Sequence, residues 1–298
     1  MEEFFTLLKR VSRTDASILL RGETGTGKEL VAQAIHTLSQ RSNHRFAAVN
    51  CATLTPDLLA SELFGHTRGS FTGAVQDKKG LFLVADKGSL FLDEVAEMPL
   101  DIQARLLRVL QEKTIVPVGS TEPIQVNVRI ISATNKSLRE QVEKGNFRED
   151  LMYRIRVVPM FLPKLTEREG DTEALTWYFV NQNNRIGIRN VNSIEKRAME
   201  AILEYSWPGN VRELKNNIEY AFAVGEGEVL RLSELTPELQ GIGYVSSSPS
   251  QITESDLERE RIIKALDRAN GKKGAAAQEL GMSRSTLWRK LREHHLVR

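Results

Sequence analysis

The stretch SILLRGETGTGKELVAQAI, residues 17–35, decides the fold. Ser17 to Leu20 is a short apolar run that stops at a glycine-rich turn, GETGTGKE. A helical pattern follows, in which Leu30, Val31, Ala34, Ile35 and Leu38 recur at spacings of three and four. Gly22, Gly25, Gly27 and Lys28 match the spacing of a phosphate-binding loop set between a strand and a helix. Glycines let the backbone bend until successive N–H groups face the phosphates, and Glu23, Thr24 and Thr26 complete that cradle. The following helix N-terminus adds its positive dipole, and Lys28 reaches the β and γ oxygens. One departure stands out: the usual Ser or Thr after the lysine is Glu29. Such glycine turns also serve as plain strand–helix connectors, but a strand before and a helix after favour nucleotide binding.

Working outward, SLFLDE (Ser89 to Glu94) is an apolar strand ending in two adjacent carboxylates. Asp93 can hold Mg²⁺, directly or through water, and Glu94 can polarise an attacking water. The alternative is that Asp93 caps a following turn. Phe46 to Cys51 and Val126 to Ala133 read as further buried strands, with helical stretches such as Leu100 to Gln111 between them. Short apolar strands alternating with helices predict an α/β fold with a parallel central sheet. From Asp171 to about Leu239 such strands are lacking and the pattern is all-helical, with WPGN (Trp207 to Asn210) opening a helix after a Pro-Gly turn. Gly241 to Gln251, GIGYVSSSPSQ, reads as a linker. The expected division is therefore an α/β subdomain over 1–168, a helical subdomain over 169–240, a linker over 241–252 and a small helical domain over 253–298.

Composition narrows the function classes. The 298 residues are 41% hydrophobic and 27% charged, with a formal net charge of +2, which excludes a uniformly basic nucleic-acid coat. No apolar run approaches the roughly 18 residues that span a bilayer, so no membrane association is expected. The start, MEEFFTLLKRVSRTD, is neither a signal nor a transit peptide. A lone cysteine, Cys51, rules out an internal disulfide framework and fits a reducing cytoplasm. His36, His44, His66, His294 and His295 have no metal-site spacing.

The chain end is basic although the whole is near neutral. GKKGAAAQELGMSRSTLWRKLREHHL, Gly271 to Leu296, has the look of a helix-turn-helix. Ala275, Ala276, Ala277 and Leu280 form a small-residue first helix, Gly281 allows the turn, and Ser283 can cap a helix beginning at Arg284. Leu287 and Leu291 form its apolar stripe, leaving Arg284, Ser285, Thr286, Arg289 and Lys290 largely outward. Lys272, Lys273, Arg292 and Arg298 add phosphate-binding charge. The bland alternative is a solvated basic helix closing a lid domain.

GETGTGKE, GSFTGA (69–74), SLFLDE, FREDLMYRI and WPGNVRELKN, in that order, resemble the AAA+ domain of bacterial sigma-54-dependent activators of the nitrogen-regulator class. The resemblance runs over roughly residues 5–240, and 254–296 are similar to a Fis-type DNA-binding domain. Glu29 is what that family usually carries. The resemblance implies ATP and Mg²⁺ as cofactors and assigns further roles. Asn50 resembles a switch asparagine that holds the catalytic glutamate, Thr134 and Asn135 a first sensor, and Arg212 a second sensor on the lid. Arg148 and Arg154 match arginine fingers supplied to a neighbouring subunit's ATP; their alternative is surface salt bridges with Glu149 and Asp150. Trans fingers imply a homo-oligomeric ring, usually a hexamer. For Trp207 and Pro208 packing and a helix start are the simpler account.

In GSFTGA, Gly69 and Gly73 supply freedom at the loop base and Phe71 and Thr72 an apolar-polar tip. By itself the stretch reads as a connecting turn. The resemblance makes Gly69, Ser70, Phe71, Thr72, Gly73 and Ala74 the contact to sigma-54 in the RNA polymerase holoenzyme. There the family's usual loop has alanine at the place of Ser70. Residues 114–125, TIVPVGSTEPIQ, resemble a second pore loop expected to move with the first, with Pro117 where many relatives have arginine. In Fis-type docking the second helix enters the major groove of enhancer DNA, with Arg284, Ser285, Thr286 and Arg289 as base-reading candidates, and Thr253 to Ala269 dimerises. The function implied is ATP hydrolysis that remodels the sigma-54 polymerase closed complex into an open one. Rival readings are a regulator that binds ATP only to oligomerise, and a AAA+ chaperone or helicase loader. Met1 falls where relatives already have a short preceding segment, which implies an internal or shortened start.

Overall fold

A computed structural model describes residues 1–70, 74–187, 189–241, 265 and 273–293. The chain divides into two compact units, Met1–Gln240 and Gly241–Arg298.

The first unit is built on five parallel strands: β1 (Ile18–Arg21), β2 (Phe46–Asn50), β3 (Ser89–Asp93), β4 (Arg129–Thr134) and β5 (Val158–Phe161), in the order β2-β3-β4-β1-β5. Alternate residues of each strand feed opposite faces. Ile18, Leu20, Phe91 and Ile131 pack under helices α1 (Glu2–Ser12) and α2 (Lys28–Thr37). Leu19, Leu90, Leu92 and Ile130 pack on the other side with α3 (Pro56–Phe64), α4 (Leu100–Glu112) and α5 (Glu149–Ile155).

Two local readings are corrected. The buried face of α2 is Ala32, Ile35 and His36, while Leu30 is 70% and Leu38 51% exposed. The sheet claims a face turned about one residue from the expected stripe. Strand β5 was not expected at all, because its four residues include Pro159. A proline lacks the N–H a central strand needs, and it is tolerated here because β5 lies at the sheet edge.

The second part of this unit packs α6 (Asp171–Asn184), α7 (Lys196–Glu204) and α8 (Asn210–Val224) around Trp207, Phe179, Ile202, Leu214 and Ile218. Its helical pattern is interrupted by a two-residue parallel pairing of Ser193–Ile194 with Val229–Leu230. The buried Arg189 fixes that corner, donating to the carbonyls of Ala221, Gly227 and Val229 and to Glu234 Oε2 at 2.8 Å.

In the second unit, α9 (Lys273–Glu279) and α10 (Arg284–Glu293) bury Ala277, Leu287 and Leu291 with Ala265. Gly281 between them has φ +64, as the tight turn requires. The Thr286 amide donates to Ser283 Oγ at 3.1 Å, the N-cap expected from the sequence.

Candidate nucleotide site and its surroundings

The phosphate loop leaves β1 at Arg21 and enters α2 at Lys28. Lys28 is 7% exposed; its Nζ donates to the carbonyls of Gly22 at 3.0 Å and Glu23 at 3.1 Å. Gly25 has φ +81, and a Cβ there would lie 2.1 Å from the Gly209 carbonyl oxygen. Only glycine therefore lets the loop and the lid approach this closely.

The carboxylates of β3 arrive beside the lysine. Glu94 Oε1 lies 3.9 Å from Lys28 Nζ, and Glu94 holds a left-handed φ of +50. A non-glycine residue there costs about 1–3 kcal/mol, a strain characteristic of functional sites. The Asn135 amide donates to Glu94 Oε2 at 3.4 Å, so the residue after β4 holds the glutamate. Asn50 Nδ2 instead donates to Asp93 Oδ2 at 3.4 Å, and its Oδ1 accepts from the Ala52 amide. The structure thus directs Asn50 to the first carboxylate, whereas the sequence resemblance pointed it at the second. Thr134 is buried at the end of β4, where its Oγ1 accepts from the Lys136 amide at 3.0 Å. Cys51 follows Asn50; burial first, then the Asp93 and Glu94 charges, push its thiol up to about 12, which removes it as a nucleophile.

These groups line a cleft of about 770 Å³ shared by Thr24, Gly25, Gly27, Lys28, Glu29, Asn50, Asp93, Glu94 and, from the lid, Arg212. Leu30, Tyr178 and Val211 supply its apolar wall, a role the sequence did not disclose; Leu30 reads there as part of the α2 core stripe. Glu23 and Asn135 line an adjoining cleft of about 800 Å³ with Lys164 and Trp207. Glu23 pairs with Lys164 at 2.6 Å and accepts from Asn210; the Lys164 bond above all holds its carboxyl below the usual range. Thr26 Oγ1 turns back to the Glu23 carbonyl at 2.8 Å, while the Thr26 carbonyl accepts from Arg168 Nη2 at 2.9 Å.

Arg148 and Arg154 are exposed and do not line the cleft around Lys28. Arg148 makes a two-pronged pair with Asp150 at 3.1 and 2.8 Å, one of the two surface pairings its neighbours suggested.

Of GSFTGA, Phe71, Thr72 and Gly73 lie outside the described residues. The loop base is closed by the Gly69 amide donating to the Ala74 carbonyl at 2.8 Å. Thr67 donates to the Val118 carbonyl and Val118 to the Gly65 carbonyl, at 3.0 and 2.9 Å. Segment 114–125, a hairpin with its turn at Gly119, is thereby tied to the base of the first loop. Among the described residues Ser70 Oγ is buried without a hydrogen-bond partner.

On α10, Arg284, Ser285 and Arg289 are exposed and Thr286 and Lys290 half-buried; on α9, Lys273 is exposed. Lys272 and most of 253–269 lie outside the described residues. The hydroxyls of Ser285 and Thr286 sit 2.8 and 2.7 Å from Ser283 Oγ, so both take part in the helix cap.

Residues 1–161 match the family model described as Sigma-54 interaction domain, more than half of the chain. The chain belongs to the sigma-54 interaction domain family. Residues 166–258 match the AAA+ ATPase lid domain, and 255–294 the Fis family of bacterial regulatory proteins. The chain is 44% identical to the nitrogen fixation protein AnfA of Azotobacter vinelandii, over 96% of its own length and 54% of that protein's. It is 42% identical to the DNA-binding transcriptional activator HyfR of Escherichia coli, over 96% of this chain and 45% of HyfR. It therefore spans about half the length of the curated relatives it matches. Among solved structures, NtrX from Brucella abortus superposes with a TM-score of 0.76 at 37% identity, covering 99% of this chain and 67% of that one. NtrX in complex with ATP gives a TM-score of 0.74 at 36% identity. As a sigma-54 interaction domain joined to a lid and a Fis-type helix-turn-helix, the chain has the parts of a sigma-54-dependent transcriptional activator on a P-loop fold. No helix among the described residues is long and apolar enough to cross a membrane.

Proposed function

We propose that this chain hydrolyses ATP in a homo-oligomeric ring, as a hexamer, and uses the energy to remodel the sigma-54 polymerase closed complex on enhancer-controlled promoters. The carrying observation is that Lys28, Asp93, Glu94 and Arg212 converge on one cleft while Arg148 and Arg154 stand outside it. The cleft's own cations include Lys28 and Arg212, and a neighbour's arginines would add further positive charge at the transferring phosphoryl group, worth about 10³-fold or more in related systems. In this reading Glu94 orients a water on the γ-phosphorus. The water oxygen bonds to phosphorus as the β–γ bridge breaks, its proton is taken up at Glu94, and ADP and phosphate leave.

Mg²⁺ suits the donor set, because Asp93 ends β3 with a hard carboxylate at the cleft wall; when bound, it would neutralise charge on the phosphate oxygens. Asn50, Thr134, Asn135 and Arg212 report the γ-phosphate to the rest of the domain. Gly69 to Ala74 then carries the stroke to sigma-54, accompanied by the hairpin bonded to its base. Arg284, Arg289, Lys290, Lys272 and Lys273 hold double-stranded DNA, with Ser285 and Thr286 at the groove-facing helix start. We assign 1–168 to the ATPase subdomain, 169–240 to the lid, 241–252 to the linker and 253–298 to DNA binding, in a cytoplasmic protein. Open-complex formation at a sigma-54 promoter, with ATP and with a non-hydrolysable analogue, tests the reading. Activation by the analogue alone would refute the motor mechanism.

A further inference from the structure

The WPGN turn does more than start a helix. Asn210 is 1% exposed, sits at a left-handed φ of +51, and begins α8 two residues before Arg212. Its Oδ1 accepts from the Leu165 amide at 2.9 Å. Its Nδ2 donates to Glu23 Oε2 and to the Thr24 carbonyl, each at 3.2 Å, and reaches the Pro208 carbonyl at 3.5 Å. The Leu165 amide can only donate and the Thr24 carbonyl can only accept, so the orientation of the carboxamide follows from its partners. One buried side chain thus joins the phosphate loop, the connector after β5 and the first residue of the lid helix. Lys164 closes the same circuit by pairing with Glu23 at 2.6 Å. Backbone contact reinforces it, since Gly25 abuts the Gly209 carbonyl.

The residue type is demanding. The position needs a donor and an acceptor on one short side chain, and it needs tolerance of positive φ, which asparagine and aspartate provide better than most. Serine is too short to span both partners, and leucine would leave the buried Leu165 amide unmatched and lose the bonds to Glu23 and Thr24.

We propose that Asn210 is a positioning residue that latches the phosphate loop to the lid helix bearing Arg212, so that nucleotide occupancy and lid position change together. This rests on the cleft being an ATP site. Phosphates that draw the loop backbone toward them move the Glu23 and Thr24 acceptors, and Asn210 transmits that shift to α8.

The test is Asn210→Asp, which keeps shape, backbone tolerance and the acceptor for Leu165 but turns carboxylate oxygens toward Glu23 and Thr24. Adding Glu23→Gln returns a donor to that pair from the opposite side. In the nucleotide-free full chain, amide hydrogen exchange at 22–27 and 208–214 is expected to rise together in N210D and to fall back toward wild type in the N210D/E23Q chain. ADP affinity, followed with a fluorescent analogue, should drop by about tenfold in N210D and recover in part in the double variant. The exposed Lys164→Ala chain, which does not threaten folding, should raise exchange at both segments to a lesser degree. Exchange that rises at one segment only, or a double variant no better than N210D, overturns the latch. The exchange arm needs neither hydrolysis nor sigma-54, so it judges the latch separately; wild-type chain without ATP turnover would instead refute the proposed function.

Discussion

Gly25→Ala isolates the contact between the phosphate loop and the lid. Gly25 has φ +81 and Gly145 has φ +74, but a Cβ at Gly145 meets nothing within 4 Å, whereas at Gly25 it would stand 2.1 Å from the Gly209 oxygen. Both substitutions carry the left-handed penalty, about 1–2 kcal/mol. At Gly25 the carbon and oxygen must also separate to about 3.3 Å or more. Moving the loop from the lid that far carries the Asn210 bonds to Glu23 and Thr24, now 3.2 Å each, beyond hydrogen-bonding range. Two lost bonds at about 0.5–1.5 kcal/mol each bring G25A to roughly 2–5 kcal/mol, against about 1–2 kcal/mol for G145A. Urea unfolding followed by tryptophan fluorescence reads this, because Trp207 is buried beside the contact. ADP affinity should fall by about tenfold or more in G25A, the equivalent of roughly 1.4 kcal/mol, and hold in G145A. Equal midpoints for the two variants, with unchanged ADP affinity in G25A, would show that the loop and lid are not in contact in solution.

Glu94→Gln should retain ATP binding and lose turnover by about 10²–10⁴-fold in a phosphate-release assay. Mixing E94Q with R154A chains, each inactive alone, should restore part of the turnover, and no recovery at any ratio counts against trans fingers. Ser70→Ala removes a buried hydroxyl that has no partner among the described residues, so thermal stability should hold or rise by about 1 kcal/mol; transcription activation should change by only a small factor, and a large loss would reveal a role for the hydroxyl. The Glu23 carboxyl is depressed chiefly by its bond to Lys164, then by Asn210. Its contribution is therefore complete above the ordinary carboxylate range and fades as pH falls through the lower native value. An NMR titration should show the Glu23 midpoint move up in Lys164→Ala, and an unmoved midpoint would refute the pairing.

The phosphate loop, β3 and its two carboxylates were readable because their chemistry is local: glycine spacing, an apolar run and adjacent acids lie within a few residues of one another. The helix-turn-helix was readable for the same reason, through Gly281 and Ser283. What escaped depends on distant partners. Asn210 meets Glu23 across 187 positions of chain, and nothing in WPGN by itself says which loop it faces. The stripe on α2 was misplaced because Leu30 is exposed on the cleft wall instead of in the core. Strand β5 was hidden by its proline and by its four-residue length.

That proline has a consequence for assembly. Val158 and Leu162 donate inward, to the carbonyls of Ser17 and Arg21, so by the two-residue period Pro159 and Phe161 occupy the outward positions. One of the two amides that β5 could offer to an incoming strand is therefore missing. An open sheet edge is a template for strand addition and aggregation, and a proline on its outer side blunts it. For the ring proposed above, in which copies would meet through chosen faces, the sheet margin thus carries a safeguard against copies joining edge to edge.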